Sequence, residues 1–73
     1  MLDETFGQQL RSVRQERGLR QWELASDMGV NPRHISQWEN GHTDPRLSTI
    51  RRLAAALRVS AAELLEEGPH AAD

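Results

Sequence analysis

Between Met28 and Pro32 the chain ends one helix and begins another within three residues. Gly29 tolerates the left-handed conformation that a helix C-terminal cap requires. Asn31 is a favoured N-cap, and Pro32 suits the first helical position, where a missing N–H costs nothing. A connection this short makes two short helices meet at a large angle, with one face of the second turned outward. Few folds can be built around such a corner.

The apolar pattern on either side is helical throughout. Phe6, Leu10 and Val13 recur at i, i+4 and i+7 in a proline-free segment that stops at Gly18, and Leu24, Ala25 and Met28 mark the second helix from about Gln21. In the third, Ile35 and Trp38 point inward and Gly41 ends the element. After a polar turn, Gly41 to Arg46, the strongest stripe follows: Leu47, Ile50, Leu53, Ala54 and Leu57. Ser60-Ala-Ala-Glu63 is a capping box that opens a short fifth helix carrying Leu64 and Leu65, before Gly68-Pro69. No segment alternates as a strand would. The expectation is an all-α, compact five-helix domain over residues 5–67, with an N-terminal extension at 1–4 and a flexible tail at 68–73.

Composition narrows the function classes. A chain of 73 residues forms one small domain, too small to set a roomy catalytic pocket beside a stable core. It has no cysteine, which excludes disulfide scaffolds, Cys-based zinc ribbons and thiol catalysis. The acidic start and a longest apolar run of only Leu53 to Leu57 lead us to expect no export signal, no membrane span and a cytoplasmic location. The formal charge is −2, yet its distribution is uneven. Residues 5–58 hold all nine basic residues, every one an arginine, against five carboxylates, a balance of +4 between acidic ends. Arginine suits forked contacts to phosphate and guanine, although a GC-rich genome would give the same bias.

The third helix has a defined outward face. With Ile35 and Trp38 turned inward, Arg33, Ser36, Gln37 and Asn40 fall at i, i+3, i+4 and i+7. The string Gln21-x-x-Leu24-Ala25-x-x-Met28-Gly29-Val30-Asn31-x-x-x-Ile35-Ser36-x-Trp38-Glu39-Asn40-Gly41 resembles the signature of the Cro and phage-repressor (XRE-type) helix-turn-helix family. The resemblance extends without gaps from residue 6 to 65, taking in Arg14, Gly18-Leu19, Asp44-Pro45, the fourth stripe and Val59-Ser60-x-x-Glu63-Leu64-Leu65. It implies a lambda-repressor-like domain whose third helix enters the DNA major groove. Carried over by position, it places base reading on Pro32, Arg33 and Gln37. It places phosphate contacts on Gln21 and Asn40, and Arg20, Ser36 and Arg46 are further candidates for the backbone. Arg14 and Glu39 resemble a family pair that bridges the first and third helices, so their expected role is structural.

The sequence departs from the family at two positions. Pro32 stands where relatives often place a polar reader, and it can offer only apolar contact to a thymine methyl. Arg20 stands where Ser or Thr usually caps helix two, so that end is expected to fray without DNA. Trp22 looks outward. His34, His42 and His70 share no metal-ligand spacing with a carboxylate, so no metal, no cofactor and no enzymatic activity are expected. The implied partner is double-stranded DNA carrying a pseudo-palindromic operator, bound by a homodimer to which the last helix contributes. An alternative of another class is an antitoxin-type or adaptor protein, with Trp22 and the acidic C-terminal segment binding a protein partner.

Overall fold

The computed structural model describes residues 4–65, which form five helices and no strand. They are α1 (Glu4–Glu16), α2 (Gln21–Met28), α3 (Pro32–Glu39), α4 (Leu47–Leu57) and α5 (Ala61–Leu65). Helix α1 thus begins inside the stretch assigned to an N-terminal extension, while the tail from residue 68 lies outside the described residues.

Local chemistry sets most of the helix ends. The αL residue after α2 is Gly29, whose φ of 71° suits a residue without Cβ, and the N–H of Val30 closes onto the Ala25 carbonyl at 3.0 Å. Two residues on, the Asn31 side chain accepts the Arg33 N–H at 2.8 Å and Pro32 occupies the first turn of α3. The Ser60–Glu63 box closes in both directions: Ser60 N–H donates to Glu63 Oε1 at 3.1 Å, and Glu63 N–H donates to Ser60 Oγ at 3.2 Å. Helix α4 ends without glycine. Arg58 itself takes the left-handed conformation, with φ of 61° and ψ of 42°, and the Arg17 guanidinium donates to its carbonyl at 3.2 Å.

Each helix turns its apolar stripe to one core. Phe6, Leu10 and Val13 of α1 meet Leu24, Ala25 and Met28 of α2, Ile35 of α3, Ile50, Leu53, Ala54 and Leu57 of α4, and Leu64 of α5. Helix α1 packs on α3 and α5, and α2 packs on α3 and α4, so α3 is held from two sides and its remaining face is open. Three details depart from the sequence pattern. Leu47, which the stripe assigns to the core, is the first residue of α4 and is 55% exposed, while Ile50, Leu53, Ala54 and Leu57 of the same stripe are buried. Trp38 is half-buried, packed against the core edge with its ring centroid 5.9 Å from that of His34. Within the polar turn, Pro45 is buried.

Gly7 marks the closest approach of α1 to α3. A Cβ built there would lie 2.4 Å from the Glu39 carbonyl oxygen and 2.7 Å from that of Trp38, so only glycine lets α1 lie against the end of α3. That contact fixes where α3 sits.

Candidate nucleic-acid interface

Helix α3 buries Ile35 and Glu39 and turns Pro32, Arg33 and Asn40 to solvent, with Ser36 and Gln37 half-buried between them. The guanidinium of Arg33 and the side-chain amide of Gln37 make no hydrogen bond within the described residues, so their donors and acceptors remain open to an external partner. Their spacing of four residues brings them one above the other on one face.

The lower end of this face is organised by one carboxylate. Glu39 is an acid on the inner side of α3 with its side chain fully buried, a state tolerated only when the charge is paired and hydrogen-bonded. Arg14 Nε donates to Oε2 at 2.6 Å, and Arg14 Nη2 donates to Oε1 at 3.2 Å, a forked contact between α1 and α3. The same Oε1 accepts from Gln21 Nε2 at 3.0 Å and from Arg11 Nε at 3.3 Å. Arg14 has no spare reach, since its Nη1 donates to the Leu19 carbonyl at 2.8 Å and ties down the α1–α2 loop. Further out, Arg11 Nη2 donates to Asn40 Oδ1 at 3.1 Å and Asn40 Nδ2 to Ser36 Oγ at 3.2 Å. Residues from the start of α2, the middle of α1 and the end of α3 are thereby locked in mutual register.

The site residues expected from sequence are therefore in two groups. Pro32, Arg33 and Gln37 line the open upper face of α3. Gln21, Ser36 and Asn40 belong to the hydrogen-bonded cluster around Arg14 and Glu39. Arg20 and Arg46 are exposed and precede α2 and α4, neither with a side-chain cap. Arg20 leaves α2 better tied than expected: Glu23 Oε1 accepts the Arg20 N–H at 2.8 Å. That is one half of a capping box, and the other half is closed to Arg20 because a guanidinium has no acceptor. Trp22, next to Gln21, is 60% exposed.

The helix-turn-helix family model matches residues 10–64, which includes all of α2, α3 and α4. The chain belongs to the helix-turn-helix family. Among its relatives, the HTH-type transcriptional repressor RghR of Bacillus subtilis (strain 168) is 46% identical over 57 residues, covering 77% of this chain and 42% of RghR. The cryptic phage CTXphi transcriptional repressor RstR of Vibrio cholerae is 36% identical over 62 residues, covering 85% of this chain and 56% of RstR. The chain thus spans about half the length of these relatives. Among solved structures, the restriction-modification controller protein C.AhdI from Aeromonas hydrophila superposes with a TM-score of 0.79 at 37% identity, covering 82% of this chain and 91% of that one.

Two residues of this helix-turn-helix domain escaped the sequence reading. Arg11 stands three residues before Arg14, which puts both on the α1 face toward α3, so the spacing carried a signal. Gly7 carried none, because a glycine inside a helix shows no sequence trace of the backbone lying against it.

Proposed function

We propose that this chain is a sequence-specific DNA-binding transcriptional regulator, a repressor that works by occupying its operator rather than by catalysis. The observation that carries the reading is the open face of α3, where Arg33 and Gln37 have hydrogen-bonding groups without internal partners on a helix anchored from two sides. In the major groove, Arg33 has the fork that matches guanine O6 and N7, and Gln37 can pair with adenine N6 and N7. Pro32 would meet a thymine methyl. Gln21, Ser36 and Asn40, with Arg20 and Arg46, would hold the backbone and fix the register of α3, contacts that position without reading sequence.

One domain reads one half-site. Two copies related by a two-fold axis would set their recognition helices about 34 Å apart, one turn of B-DNA, and so require a pseudo-palindromic operator. The exposed Leu65 on α5 gives such a pairing apolar surface. The reading also places the protein in the cytoplasm, where bacterial-type operators are. It is tested by mobility shifts on the DNA immediately upstream of its own gene and on a scrambled duplex of equal composition, at several salt concentrations. Tighter binding to the upstream DNA, with a palindromic footprint and a steep fall with salt, is the expected result. Equal affinity for both duplexes overturns it.

A further inference from the structure

We infer that Arg11, a residue outside the helix-turn-helix itself, is a DNA-phosphate contact that Glu39 and Asn40 hold in position. The inference rests on the DNA-binding reading above and adds to it a residue on α1. Glu39 carries one negative charge and receives two arginines, so the cluster keeps one surplus positive charge. Arg14 cannot present that charge, because it is buried and its Nε, Nη1 and Nη2 all have partners inside the protein. Arg11 can. Its side chain is 47% exposed, and two of the five guanidinium N–H groups are engaged, one on Glu39 Oε1 and one on Asn40 Oδ1. Three N–H groups remain for an anion, and none of the existing bonds has to break to admit it.

Position gives the charge its target. Asn40 ends the row Arg33, Ser36, Gln37, Asn40, so the guanidinium stands where the outward face of α3 runs out. Gln21 donates to the same carboxylate oxygen as Arg11, so a phosphate lying against the Gln21 amide is within the compass of the Arg11 fork as well. Pinning at two points also removes a cost. A free arginine loses several rotatable degrees of freedom on binding, whereas this one is already held by two hydrogen bonds.

The test uses the full chain and a mixed-sequence 25-bp duplex, because phosphate contacts do not depend on sequence. Affinity is measured from 50 to 300 mM salt for wild type, Arg11→Gln and Arg11→Lys, with thermal melts alongside. One lost phosphate contact lowers the slope of log K against log[salt] by about 0.9, which at 0.1 M corresponds to roughly eightfold weaker binding. Arg11→Gln should show that loss with a melting temperature close to wild type, and Arg11→Lys should recover the slope. An unchanged slope in Arg11→Gln overturns the inference and leaves the DNA-binding reading intact. So does a weaker affinity that only follows a fall in melting temperature, or a Gln variant that does not fold, since either makes Arg11 a structural residue. Wild-type protein that binds neither this duplex nor the upstream DNA removes the DNA-binding reading, and Arg11 with it.

Discussion

Removing the Glu39 carboxylate should destabilise this domain more than any other single polar deletion. Its side chain is fully buried and accepts two bonds from Arg14, one from Arg11 and one from Gln21. Glu39→Ala leaves Arg14 charged, its side chain only 10% exposed, with nothing but the Leu19 carbonyl to answer it. Breaking a buried pair from one side costs about 3–5 kcal/mol. At roughly 0.05–0.15 kcal/mol per residue, a chain this size has only about 4–11 kcal/mol to lose. At about 4 °C or more per kcal/mol, the melting temperature should therefore fall by at least 12 °C. Exposed ion pairs contribute only about 0–1 kcal/mol, so the size of the effect reports burial directly. The assay is urea denaturation followed by far-ultraviolet circular dichroism, for wild type, Glu39→Ala, Arg14→Met and the double variant. The double variant should be more stable than the sum of the single losses predicts, because no charge is stranded. A coupling energy near zero, or a Glu39→Ala variant within 1 kcal/mol of wild type, would refute the reasoning.

Three further outcomes follow from the backbone. Gly7→Ala gains about 1 kcal/mol of helix propensity but drives a Cβ to within 2.4 Å of the Glu39 carbonyl, so we expect a net loss of roughly 1–3 kcal/mol; a higher melting temperature would show that α1 can move away without penalty. Arg58→Gly relieves a left-handed residue that costs about 1–2 kcal/mol, and should stabilise the protein by up to that amount in the same urea titration, since the Arg58 carbonyl that Arg17 uses is retained. Asn31→Ala removes the side-chain acceptor for the Arg33 N–H and should cost about 0.5–2 kcal/mol, visible as a lower urea midpoint.

The sequence disclosed the fold through its stops and starts. Gly29, Asn31-Pro32 and Ser60–Glu63 fix helix ends by local chemistry, which needs no knowledge of the neighbours, and the stripes of α1, α2 and α4 name their own buried residues. Where tertiary context decides, the pattern misled. Leu47 has the right period and is nonetheless exposed at the first position of α4. Arg58 ends α4 with no glycine to announce it. Part of the candidate site was equally open to reading: Arg33, Ser36, Gln37 and Asn40 follow from turning Ile35 inward, and Arg14 with Glu39 from the family resemblance. The sharing of Glu39 Oε1 among Arg14, Arg11 and Gln21 was hidden, because it depends on three helices converging at one atom. So was the demand for glycine at position 7.

The claim that α3 reads DNA sequence rests on Arg33 and Gln37. Its most direct test is the ratio of affinities for the operator and for scrambled DNA, measured at one salt concentration for wild type, Arg33→Ala, Gln37→Ala, Gln21→Ala and Asn40→Ala. Each good bidentate base contact contributes about 1–3 kcal/mol of discrimination. Arg33→Ala and Gln37→Ala should therefore lower the ratio by roughly five- to a hundredfold each, at 1.4 kcal/mol per factor of ten. Gln21→Ala and Asn40→Ala should weaken binding to both duplexes alike and leave the ratio near its wild-type value, because contacts to phosphate carry no sequence information directly. If the ratio is unchanged in both Arg33→Ala and Gln37→Ala, the open face of α3 is not the reader.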